Sequence, residues 1–233
     1  DFQQNVDSLN SVAQIFTGAP DSTNLEALRI QWTSTILSWQ AISYLNFGHG
    51  AAVDQRSQFN IYPTDTMQIG ANISVGSYTL GTPANLPAQG LQAVDFLIYG
   101  VGTSHTDVVA RYVSDPLAGN RKTYLTDVTA EMKSFADAIV NDWTSSYRDS
   151  FVANSIDNSA GSSMSLFVNA YIQHFESYTR KGKLGLPAGV FNVISGTPMP
   201  DQVECYYAGN SLAQLEESLI RAQEIFNGES HSA

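Results

Sequence analysis

Apolar residues return at three- and four-residue steps along most of this chain, and that spacing restricts its fold more than any other feature. On an α-helix such residues share one face, which must be buried against another element. Phe2, Val6, Leu9, Val12, Ala13 and Phe16 mark a first helix over 2–16. Thr17-Gly18-Ala19-Pro20 breaks it, and Asp21 or Ser22 can cap a second helix over 24–46. That helix carries Leu25, Leu28, Trp32, Ile36, Trp39 and Ile42, which read as core, and Phe47-Gly48 closes it. The same spacing predicts helices over 88–99, 105–113, 120–153, 163–180 and 211–227. The helix over 120–153 would be roughly 50 Å long, enough to span a bundle or bridge two. Strand signal is confined to an alternating piece from Ile73 to Leu80, inside the least regular stretch, 51–89. A strand or an extended lid is expected there. Asn158 to Ser163 reads as a polar turn, and 182–200, rich in Gly and Pro, as a loop. The expected class is all-α, as two packed helical bundles covering 1–117 and 118–233.

Charge narrows the function classes. The formal net charge is −11, with 11 Lys and Arg against 22 Asp and Glu. A nucleic-acid partner needs clustered cations, and an anionic membrane surface attracts them, so both are disfavoured. No apolar run reaches the length of about 18 residues that a membrane-spanning helix needs. Cys205 is the only cysteine, which excludes a disulfide within the chain. The chain begins at Asp1 with no charged-then-apolar leader, as either a mature protein or a trimmed chain would.

The most informative local stretch is Gly90-Leu91-Gln92-Ala93-Val94-Asp95, running into Phe96-Leu97-Ile98-Tyr99-Gly100. Gln92 and Asp95, three apart, share a helix face, and such a polar pair reads either as a buried polar contact between bundles or as a ligand contact, since burying it without partners is costly. The stretch resembles the signature helix of the imelysin family, Gly-x-His-x-x-Glu before an apolar run, with Gln92 in place of the His and Asp95 in place of the Glu. Other family anchors follow in order: Trp32, Trp39 and Phe47-Gly48; Arg121 and Tyr124 opening a long helix to Asp142-Trp143 and Phe151; Lys183-Leu184-Gly185-Leu186-Pro187-Ala188-Gly189; then Pro198 and Val203-Glu204-Cys205-Tyr206-Tyr207. The resemblance implies an all-helical protein of the bacterial envelope, periplasmic or lipid-anchored at the outer membrane or surface. It also implies a tie to iron acquisition. The family is filed among the M75 peptidases.

The residues themselves give little support to catalysis. A zinc peptidase needs His or carboxylate ligands converging on the metal and a base for its water. His49, His105, His174 and His231 are scattered, with none at i+3 or i+4 from another, and read as surface or capping residues. Gln92 is a poor transition-metal ligand, and Asp95 alone could hold a hard cation through oxygen. No Gly-x-Ser-x-Gly elbow is present. The expectation is a non-catalytic, imelysin-like binding protein serving iron or haem uptake. Its partners would be iron, haem or another envelope protein, and a divalent metal such as iron is the one cofactor in view. Gly90, Gln92 and Asp95 would line a cleft together with Gly185, Pro187 and Gly189. The alternatives are a metallopeptidase of the same family, or a helical partner-binding module without a small ligand.

Overall fold

The periodic segments become helices with close to the expected limits. The computed structural model describes residues 1–155, 159–192 and 195–229; Asn158 and His231 lie outside them. α1 (Phe2–Gly18) buries Phe2, Val6, Leu9, Ala13 and Phe16. α2 (Ser22–Ile42) starts where the Asp21 carboxylate accepts the Asn24 N–H at 2.7 Å, satisfying a donor that a helix start leaves free. α8 (Ala118–Asp142) turns Tyr124, Leu125, Val128 and Met132 inward. α1 packs along both α2 and α8, and the three enclose a core with Trp32, Trp39 and Phe59 at its centre.

Three short helices occupy much of the first part of the stretch that looked irregular: α3 (Gly48–Ala52), α4 (Gln55–Phe59) and α5 (Thr66–Val75). The strand or lid expected over Ile73–Leu80 is absent. Ile73 is buried as the last core residue of α5, which the Asp65 side chain caps and left-handed Gly76 ends. The apparent alternation there is the tail of a helical pattern followed by a turn. Among the described residues there is no strand.

α6 (Gly90–Asp95) has all six residues buried and runs on as a π-helical turn, Phe96–Gly100. Carbonyls freed by that change of pitch are claimed from outside. Tyr112 donates its hydroxyl to Leu97 O, and the Arg29 guanidinium donates twice to Ile98 O, at 2.7 and 3.0 Å. α7 (His105–Val113) is capped by the Ser104 hydroxyl.

α8 continues through a π-helical turn, Trp143–Tyr147, into α9 (Arg148–Ala153). α10 (Ser163–Gln173) also runs on in π-helical form, as His174–Gly185, so the helix expected to stop near 180 consumes the first residues of the expected 182–200 loop. α11 (Ser211–Asn227) packs on α2 and on His174–Gly185. The expected division at 117/118 does not coincide with a break in the packing. Tyr124 through Ala136 of α8 belong to the same core as α1, α2 and α6.

Candidate functional site

α6 owes its position to a glycine. Gly90 has φ +76°, and a Cβ there would stand 2.5 Å from the Phe59 carbonyl oxygen at the end of α4. Only glycine permits both that backbone conformation and that approach. The helix so placed presents Gln92 and Asp95 to the turn over 203–208.

Both side chains are fully engaged with that turn. The Gln92 Oε1 accepts the Cys205 N–H at 2.8 Å, and its Nε2 donates to Asn60 Oδ1 at 2.8 Å. The two Asp95 oxygens accept the N–H groups of Tyr207 and Ala208, each at 3.0 Å. Cys205 itself is left-handed, with φ +55°, which an L-residue adopts only where its surroundings hold it. Asn60 passes the network on, donating to Glu204 Oε1 at 2.6 Å, and Gln40 donates to the same oxygen at 3.2 Å. Glu204 forms an ion pair with Lys183, and both side chains are buried.

Burial sets the electrostatics. It pushes the Asp95 carboxyl up to about 7; the two amide donors oppose the rise and the Glu204 carboxylate adds to it. The Cys205 thiol is pushed well up by burial and by the Glu204 and Asp95 charges, so it is a packed thiol and not a nucleophile. The Tyr62 hydroxyl is also raised, by burial and then by Glu204.

A cavity of about 190 Å³ lies beside this pair. Gln92 and Asp95 line it with Tyr62, Thr64, Asp201 and Tyr207. Gly185, Pro187 and Gly189 are not among its lining residues. Gly185 lies against the Phe191 ring, Gly189 against the Thr197 carbonyl, and the Pro187 carbonyl accepts the Met199 N–H at 2.8 Å. That loop folds onto its own continuation, and the segment reaches the site through Lys183. The sequence marked Lys183 and Glu204 within family-like stretches but gave neither a role. Asn60 and Gln40 carried no signal, because a polar residue in an apolar helix looks the same whether it meets solvent or a buried carboxylate.

The donor set suits a catalytic zinc poorly. Gln92 offers an amide oxygen already taken by a backbone donor, and Asp95 offers oxygens that each hold one. Among the described residues no three His, Cys, Asp or Glu side chains converge as a metal site. The carboxylates of Asp95 and Asp201, with the tyrosine hydroxyls, are instead hard oxygen donors.

The histidines stand apart from this site. His105, expected at the surface, accepts at Nδ1 from the Arg29 guanidinium at 3.1 Å and donates from Nε2 to Ser22 O at 3.0 Å. His174 corrects the expectation of a surface or capping role, since it is only 3 % exposed. Its Nδ1 lies 3.1 Å from Arg56 Nη2, which can only donate, so Nδ1 accepts and Nε2 carries the proton toward Ser43 Oγ at 3.2 Å. Burial, Arg56 and Lys183 hold its pKa down to about 2. A Ser–His pair in this tautomer cannot take the serine proton, so it is no hydrolytic dyad.

Known proteins agree with the fold. No curated protein matches the sequence. A crystal structure from Parabacteroides distasonis ATCC 8503, provisionally named an iron-regulated protein A precursor, superposes with a TM-score of 0.74 at 16% identity, over 96% of this chain and 67% of that one. An imelysin-like protein from Psychrobacter arcticum 273-4 superposes with a TM-score of 0.66 at 19% identity, over 100% of this chain and 71% of that one. The sequence profile of the Imelysin family matches residues 1–232, and with this helical fold and the Gly90-x-Gln92-x-x-Asp95 helix at its centre, the chain belongs to that family.

Proposed function

We propose that this protein is a non-catalytic, extracytoplasmic binding protein of the bacterial envelope that takes part in iron uptake, with iron as cargo. One observation carries the reading. The face of α6 that bears Gln92 and Asp95 opens on a small cavity whose lining brings the oxygen-bearing side chains of Asp95, Asp201, Thr64 and tyrosine together beside the Gln92 amide. Oxygen donors of this kind favour a hard cation over zinc. The cavity, about 190 Å³, is too small to enclose haem, which favours the ion of the two cargoes. The name of the Parabacteroides protein, iron-regulated, points in the same direction.

The reading is tested by titrating the purified protein with ferric nitrilotriacetate, following tyrosinate-to-iron absorbance, beside a peptide-cleavage assay with added zinc. Saturable ferric binding that Asp201→Asn weakens by about tenfold or more supports it. Stoichiometric zinc with peptide cleavage would instead make the protein a metallopeptidase. Ferric binding unaffected by both Asp201→Asn and Asp95→Asn would remove the cavity from the account.

A further inference from the structure

A second cavity, of about 440 Å³, lies between the start of α1, the end of α2, α3 and the end of α8. Its size falls within the range of small-molecule pockets, and its walls are mostly apolar. Four of the lining side chains are aromatic: Phe2, Phe47, Trp143 and Tyr147. Phe47 and Trp143 approach to 6.3 Å between ring centroids, and Trp143 and Tyr147 to 5.7 Å. The π-helical turn Trp143–Tyr147 carries two of these rings, and such turns are frequent at functional sites. The wall is built with little slack. Gly48 has φ +60°, and a Cβ there would stand 2.6 Å from the Tyr147 ring, so this glycine is what lets the ring stand where it does. Beside the rings stands the Asp142 carboxylate; the lining also holds Asp1, whose carboxylate is accompanied by its own α-ammonium, and His49, and no Lys or Arg side chain. The Asp142 carboxylate directly precedes Trp143 at the cavity wall.

We propose that this cavity binds a small organic cation, an ammonium group carried on an aromatic or branched apolar body. The ammonium would lie against the Trp143 and Tyr147 faces, whose negative quadrupoles attract it, within reach of the Asp142 carboxylate. The apolar body would fill the space over Ile139 and Ala136. A neutral ligand of the same shape gains the apolar contacts only, and an anion meets the Asp142 carboxylate. The site is independent of the iron reading, since it shares no lining residue with the Asp95 cavity.

Three isosteric probes separate these cases: 2-phenylethylamine, 2-phenylethanol and phenylacetate, each titrated into the full chain by calorimetry and by tryptophan fluorescence. The amine is expected to bind about fivefold or more tightly than the alcohol, and the acid more weakly than either. Asp142→Asn, at a half-buried position, should bring the amine down to the alcohol's affinity and leave the alcohol unchanged. Val140→Phe, at the cavity mouth, should weaken both. Equal binding of amine and alcohol, an amine affinity indifferent to Asp142→Asn, or no binding of any probe at millimolar concentration would overturn the proposal.

Discussion

Asp95 shows how one methylene and one neighbour decide what a motif position does. The side chain is shorter than the family glutamate, and at the cavity wall each of its carboxylate oxygens accepts a backbone amide, of Tyr207 or of Ala208. Burial raises its pKa from 3.8 to about 7 despite those two donors. Between those values the native state holds a proton that the unfolded state has released. Stability from this group is therefore full below about pH 4 and is lost as pH rises through 7. The loss is on the order of 4 kcal/mol. Asp95→Asn cannot titrate, so the stability of the natural protein minus that of the variant should fall from pH 4 to pH 7 and then level off. Urea denaturation across that range measures it, and a flat difference would show that the carboxyl is not shifted. At this scale the sequence spoke only in part. It singled out Gln92 and Asp95 as a polar pair, but apart from the Asn60 side chain their partners lie more than a hundred residues away, on backbone amides that every residue type carries.

Elements were the most legible level, because a helical face repeats its signal over many residues while a contact states it once. The first two helices, the long one over 118–153 and the last were all readable from periodicity, and Ser104, Asp21 and Gly76 did what capping residues do. Short elements failed for the same reason. Five residues in α3 or α4 contain barely one turn of pattern, and Ile73, seen without the rest of α5, imitates a strand. Glycines mark the difference between punctuation and constraint. Gly90→Ala would combine a left-handed backbone with a collision against the Phe59 carbonyl, which cannot rotate away. It should cost about 2–4 kcal/mol and displace α6. Gly70, mid-helix in α5 with open space around it, is the control: Gly70→Ala should be neutral or stabilise by about 0.5–1 kcal/mol. Thermal unfolding of the two variants decides this. Similar losses in both would mean that α6 can move, and that the approach to Phe59 does not set the site.

The whole molecule is joined across its two ends by a buried polar network, and that is where its sequence was least transparent. Glu204 sits between Lys183 from the far end of the π-helical segment, Asn60 after α4 and Gln40 within α2. Tyr44 extends the link, donating to Ser218 O of α11 at 2.9 Å. Apolar periodicity says nothing about such contacts, since each member is a lone polar residue whose partner is set by the three-dimensional arrangement. The ion pair is costly to bury, and its members are tolerated there only together. Lys183→Met should therefore destabilise by about 3–5 kcal/mol, because it strands the Glu204 charge away from water. Lys183→Met combined with Glu204→Gln should recover a large share of that loss, since the neutral amide still accepts from Asn60 and Gln40 through its oxygen. The comparison also separates two roles for the pair. If it only closes the C-terminal helices onto α2, the double variant should keep the ferric titration of the natural protein. If it also holds the 203–208 turn against Gln92 and Asp95, the double variant should be nearly as stable yet bind iron more weakly. Urea denaturation of the three proteins beside the ferric titration distinguishes these outcomes, and a loss below about 1 kcal/mol for Lys183→Met would show that Glu204 is not held as a buried charge at all.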